Sequence, residues 1–177
     1  MAEFFLELFS EEIPSSLQRD FREKILEEFQ KFFLDKGIKS KKNFSLSTPN
    51  RLVVVFEGLD KEIKILSNEI RGPKTNSSEQ ALEGFLKSNN LEFKNIFKKK
   101  IEKGEFYFYK TKSKTLKTHD LLAEFIPKLL DNYQWKKSMK WGEFNLHWGR
   151  PLKSILSIYD KKEVRFKFHH ILSSNST

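Results

Sequence analysis

Cations and large aromatic residues are interleaved between residues 136 and 152. Lys136-Lys137-Ser138-Met139-Lys140-Trp141 is followed by His147-Trp148-Gly149-Arg150-Pro151-Leu152. Such a run can neutralise phosphates with its ammonium and guanidinium groups while its indole faces stack on bases. The competing reading, which is favoured, makes Trp141 and Trp148 core anchors with lysine stems lying around them. Glycine and proline fix unusual backbone angles, so their presence beside Arg150 marks a shaped element rather than a solvated charge run. Arg51, in Thr48-Pro49-Asn50-Arg51, and Arg71, in Arg71-Gly72-Pro73-Lys74, share that kind of setting. Lys98-Lys99-Lys100 can meet phosphate only nonspecifically.

For catalysis the chain offers little. It has no glycine-rich phosphate loop, no His-Glu-x-x-His and no nucleophile elbow. Glu11 and Glu12 are adjacent and point to different sides, which suits acids at a helix start better than an acid/base pair. His169-His170 in a strand-like tail diverge in the same way, and His119 and His147 stand alone. No cysteine is present, which removes disulfides, thiolate nucleophiles and cysteine-based zinc sites and fits a reducing compartment.

The 177 residues suffice for one ordinary domain or two small ones. Eighteen phenylalanines among 38 % apolar residues make the composition globular. No run approaches the ~18 apolar residues of a membrane span, and the acidic N-terminus does not resemble a signal peptide. A cytoplasmic protein without a membrane partner is expected. The net charge of +9 invites a nucleic-acid partner. AT-rich codons for Lys, Asn, Ile and Phe account for a lysine excess equally well, so the six arginines carry more information than the 27 lysines.

The elements that must position these residues alternate between strand and helix. Ala2–Phe9 reads as a strand and Ser15–Lys36 as a helix with apolar residues at Leu17, Phe21, Ile25, Phe29 and Phe32 or Phe33, stopped at Gly37. Phe44–Ser47 and Arg51–Leu59 read as strands, and Lys61–Ile70 as a further strand broken by Arg71-Gly72-Pro73-Lys74. A short helix over Glu79–Ser88 follows Ser77 or Ser78, and Phe97–Lys103 reads as a solvated loop and boundary. Glu105–Lys112 is an aromatic strand. Thr118 is expected to cap a helix over Asp120–Tyr133 that Pro127 should kink or split. Strands at Ser154–Tyr159 and Val164–Phe168, joined by a turn at Asp160-Lys161-Lys162, close the reading. The fold class is α+β with antiparallel or mixed sheets and two long helices, divided into subdomains 1–100 and 101–177.

In order along the chain, Phe5-Leu6-Glu7-Leu8 with Glu11-Glu12-Ile13-Pro14, Thr48-Pro49-Asn50-Arg51-Leu52, Arg71-Gly72-Pro73, Ala81-Leu82-Glu83-Gly84-Phe85, Lys103-Gly104-Glu105-Phe106, Pro127-Lys128, Met139-Lys140-Trp141 and Arg150-Pro151-Leu152 resemble the N-terminal part of the β subunit of the bacterial two-subunit glycyl-tRNA synthetases. Asn50 and Lys140 stand where the family usually has arginine. Ile171–Thr177 resembles a run that the family follows with further helical and anticodon-binding regions, so the chain looks like the N-terminal portion of a larger subunit. The resemblance implies a noncatalytic segment of an α2β2 enzyme joining glycine to its tRNA. ATP and Mg are expected at the α subunit and no cofactor in this chain. The implied partners are the α subunit, tRNA(Gly) and the remainder of the β subunit, with Arg51, Lys74, Lys140 and Arg150 as candidate tRNA contacts. The alternatives from other classes are a freestanding basic RNA-binding module and a small-molecule or editing pocket.

Overall fold

A computed structural model describes residues 1–65, 67–101, 104–140, 143 and 145–176, the side chain of residue 65 excepted. Trp141, Lys103 and Thr177, which belong to motifs above, lie outside the described residues. The chain forms two compact units, Met1–Ile63 with Leu116–Thr177, and Lys64–Thr115.

The first unit opens with β1 (Ala2–Ser10), α1 (Ser15–Lys36), β2 (Lys42–Ser47) and β3 (Arg51–Leu59). The chain continues through β4 (Glu62–Ile65), β5 (Glu69–Lys74), α2 (Glu79–Ser88), β6 (Ile96–Ile101), β7 (Gly104–Lys110) and β8 (Lys114–Lys117). It ends with α3 (Thr118–Asn132), β9 (Met139–Lys140), β10 (His147–Trp148), β11 (Leu152–Tyr159), β12 (Lys162–Glu163), β13 (Lys167–Phe168) and β14 (Ile171–Ser174). The main sheet runs β13-β14-β11-β1-β3-β2, with β12 added on β11, and the β11–β14 pair is parallel while the others are antiparallel. The α+β class with mixed sheet is therefore observed.

Alternation in β1 sends Phe4, Leu6 and Leu8 to one face, and the four-residue spacing of Leu17, Phe21, Ile25, Phe29 and Phe33 gives α1 a matching stripe. The two surfaces meet through Phe29, whose ring lies 5.3 Å from Phe4, 5.9 Å from Phe56 and 5.2 Å from Phe125 of α3. Both helices thus cover the same face. The opposite face carries Phe5, Phe9, Val53, Val55, Leu156 and Ile158, all half-buried. Gly37 ends α1 at φ 69°, and its N–H and that of Ile38 take the carbonyls of Leu34 and Phe33.

A second aromatic cluster follows α3. Phe21 stacks on Trp135 at 4.6 Å and meets Tyr133 and Trp148 edge-on. Burial pushes the Tyr133 hydroxyl up to about 12 from an ordinary 10.0, and the Asp20 carboxylate adds to the rise. The unfolded chain ionises this phenol first, so its contribution to stability is complete below pH 10 and is lost as the pH rises toward about 12. Tyr133→Phe is expected to abolish that alkaline loss, which urea unfolding followed across this pH range would test.

Several sequence expectations are corrected. Lys61–Ile70 is two strands, β4 and β5, in different sheets, with β4 paired to β8. Arg71-Gly72-Pro73-Lys74 lies within β5, where a register shift against β7 absorbs the proline. The expected loop at Phe97–Lys103 is a strand as far as residue 101, where Ile96–Ile101 pairs residue by residue with β7 as an edge strand, and residues 102 and 103 lie outside the described residues. Lysines misled here because edge strands carry charge at positions that face water. α3 runs through Pro127 unbroken, its turns on either side held by buried Leu122, Ile126 and Leu130. Thr118 is the helix's first residue rather than its cap, and its hydroxyl donates to the Asp60 carbonyl at 2.6 Å. Val164–Phe168 divides into a loop and β13, and β14 adds a strand beyond it.

Candidate functional site

The motifs at Ser10–Pro14, Thr48–Arg51 and Gly149–Leu152 are far apart in sequence and meet at one end of the main sheet. Backbone hydrogen bonds join them: Ser10 N–H to the Asn50 carbonyl at 2.9 Å, Glu11 N–H to Pro151 at 2.9 Å, and Ile13 N–H to Pro49 at 2.8 Å. β1 lies between β11 and β3, so one end of it necessarily receives the turns leading into both neighbours. The two prolines cannot donate a backbone N–H, and their carbonyls accept from the turn after β1. Arg150 Nε donates to the Glu12 carbonyl at 3.2 Å, and its guanidinium reaches the Met139 sulfur at 3.8 Å. That last contact brings β9 to the same end.

Charge in this region is arranged around Phe9. Arg51 lies over its ring at 4.6 Å and Lys153 at 5.4 Å. Arg51 Nη1 also donates to the Glu7 carboxylate, whose side chain is only 11 % exposed. Lys153 pairs with Glu11 at 2.8 Å. Sequence reading passed over Glu7 and Lys153. Glu7 was visible as an acid within an apolar strand, a placement that calls for a cation on a neighbouring strand.

The four candidate contacts separate into two kinds. By the bonds above, Arg51 is tied to Glu7 of β1 and Arg150 to the turn after β1. Lys140, on the short β9–β10 ribbon opposite His147, and Lys74, at the end of β5, are exposed, although Lys74 also approaches the Phe106 ring at 5.8 Å. Lys140, Arg150 and Arg51 belong to the first unit and Lys74 to the second. Trp148 is buried to 1 %, within 5.1 Å of Trp135 and 5.6 Å of Phe168, so its indole is a core anchor. Gly149 is needed beside it because a Cβ there would stand 2.6 Å from the Trp135 ring. Lys136 is paired with Asp20, and that hydrogen bond holds the Asp20 carboxyl below the usual range.

The second unit is the basic one. Lys64–Thr115 contains eleven Lys and one Arg against six Glu, six of the nine net positive charges in fewer than a third of the residues. Its sheet, β5-β7-β6, buries Phe106 and Phe108 of the middle strand on one face. Lys98, Lys99 and Lys100 of β6 are exposed.

The histidines are engaged locally. His169 Nε2 lies 3.0 Å from Asp131 and His119 Nε2 lies 2.8 Å from the Glu163 carbonyl. His147 and His169 also border a cleft of about 490 Å³ beside Trp135. Among the described residues no three His, Asp or Glu side chains gather as metal ligands, and no helix is long and apolar enough to cross a membrane.

A family model described as glycyl-tRNA synthetase beta subunit matches residues 4–177. The chain belongs to that family, within the aminoacyl-tRNA synthetase class. It is 37 % identical over all 177 residues to the glycine–tRNA ligase beta subunit of Rickettsia bellii (strain OSU 85-389). It is 35 % identical over 177 residues to that of Rickettsia canadensis (strain McKiel) and 34 % over 175 residues to that of Rickettsia felis (strain ATCC VR-1525 / URRWXCal2). It covers 27 %, 26 % and 26 % of those proteins, and so spans about a quarter of their length.

Proposed function

We propose that this chain acts as the N-terminal segment of a glycine–tRNA ligase β subunit, without a catalytic site of its own, supporting ATP-dependent charging of tRNA with glycine. The observation that carries the reading is the family match over residues 4–177, together with the meeting of its separated motifs at one sheet end. In this proposal the α subunit supplies the ATP and Mg chemistry in the cytoplasm, within an α2β2 assembly. The half-buried apolar residues Phe5, Val53, Val55 and Leu156 share the sheet face that neither α1 nor α3 covers, which supports the assembly part of the proposal.

The tRNA contacts in this proposal are mainly to phosphate. Lys74 and Lys140, being exposed, supply them, while Arg51 and Arg150 hold the turns beside Lys140. The double variant Lys74→Ala/Lys140→Ala is expected to weaken tRNA(Gly) binding. It should also reduce the slope of log K against log[salt] by about two, since each neutralised phosphate contributes about 0.9. An unchanged slope in a salt titration would remove these two residues from the interface. Pull-down with the glycine–tRNA ligase α subunit tests the assembly part. Equal affinity for unrelated RNAs with no capture of the α subunit would favour a freestanding RNA-binding module instead.

A further inference from the structure

The sheet of the second unit has two unlike faces. On the middle strand, β7, alternation sends the buried Phe106 and Phe108 one way and Tyr107 and Tyr109 the other, where both are half-buried. Phe93, on the turn preceding β6, meets Tyr107 edge-on at 6.2 Å and is 60 % exposed. Lys98 stands directly across from Tyr107, its Nζ 5.9 Å from the ring centroid. Lys100 follows two residues on along the same face, opposite Glu105 at the hairpin end, and Ile70 and Ile96 flank Tyr109 on either side.

Resting on the tRNA-binding reading above, we propose that this face is a stacking platform for unpaired RNA. Bases lie on Phe93 and Tyr107, and the phosphates between them are met by Lys98 and Lys100. Two properties select this occupant. An exposed phenylalanine beside half-exposed tyrosines offers flat π faces, which unstacked bases take up and paired bases cannot reach. The unit's six excess positive charges complement a polyanion. The geometry makes no hydrogen-bonding demand that would select a particular base, so tolerance of sequence is expected.

The test measures binding of the 177-residue chain to tRNA(Gly), to a single-stranded RNA of about ten nucleotides, and to a duplex of equal length. The proteins compared are the native chain, Phe93→Ala, Tyr107→Leu and Lys98→Ala/Lys100→Ala, each checked for native circular dichroism. Tyr107→Leu retains apolar bulk, and Phe93 is exposed enough to be removed without loss of fold. Stacking of one base is worth about 5- to 150-fold in affinity, so each aromatic variant is expected to bind the single strand at least about fivefold more weakly. The salt slope should be unaltered in those two variants, whereas the lysine pair should flatten it by about two. Native affinity for the single strand in both aromatic variants, with tRNA binding intact, overturns the platform and leaves the tRNA reading standing. Preference for the duplex overturns it likewise. Absence of binding to any of the three RNAs overturns the tRNA reading and the platform together.

Discussion

Trp148→Ala is expected to destabilise the first unit by about 3–5 kcal/mol, the cost of removing a fully buried tryptophan. The indole is 1 % exposed and is enclosed by Phe21, Tyr133, Trp135 and Phe168 at centroid distances of 5.6, 6.4, 5.1 and 5.6 Å. These rings come from α1, the segment after α3, and β13, so one deletion loosens three elements at once. A domain's total stability is only about 5–15 kcal/mol, and the variant should therefore unfold at a much lower urea concentration. Trp148→Phe, which keeps an aromatic plate in the cluster, is expected to recover more than half of the loss. The same pair of variants separates the two readings of the interleaved cation and aromatic run. A base-stacking tryptophan would lose RNA affinity in Trp148→Ala, and less in Trp148→Phe, while the fold kept its strength. The packing predicts the reverse: a large shift in unfolding midpoint, and native affinity per folded molecule measured under conditions where the alanine variant remains folded.

How far the sequence discloses this molecule depends on whether a residue's partner lies near it. α1 is legible because its stripe repeats every four residues and Gly37 stops it. β1 and β3 are legible because their apolar runs are bounded by turn residues. β6 is obscured because three consecutive lysines signal solvent, and the pairing that makes them a strand lies in β7 beyond the turn. Pro127 misleads for a related reason: its local cost is plain in the sequence, while the buried stripe that outweighs it depends on tertiary contacts. The candidate site divides in the same way. Arg51 and Arg150 could be singled out from the glycines and prolines near them. Their engagement with Glu7 and with the Glu12 carbonyl depends on the strand order, which sets β1 between β3 and β11. Phe93 and Tyr107 carried no sequence signal as a pair. They meet only because β6 and the turn before it fold beside β7.

The Glu7–Arg51 pair provides the second large effect. Glu7 projects from β1 among Phe5 and Phe9, with its side chain 11 % exposed, while Arg51 keeps 38 % of its side chain toward solvent. Removing one member of a buried ion pair costs about 3–5 kcal/mol, because the charge left behind has lost both water and partner. The partial exposure of Arg51 lets water reach part of the pair, so Arg51→Met is expected to cost about 2 kcal/mol. Methionine retains an apolar stem over Phe9, which leaves the uncompensated Glu7 carboxylate as the main source of the loss. Adding Glu7→Gln to Arg51→Met removes that charge and should restore about 1 kcal/mol, giving a coupling that urea unfolding of the two single variants and the double variant can resolve. Strictly additive losses would mean that the carboxylate does not depend on the guanidinium. The cycle also bears on RNA. If Arg51 serves to hold the turn at Thr48–Arg51, the salt slope of tRNA binding stays native in Arg51→Met, whereas Lys140→Ala lowers it by about one. A drop of the same size in Arg51→Met would instead make Arg51 a phosphate contact. Its ion pair with Glu7 would then orient a guanidinium toward the ligand as well as stabilise the turn.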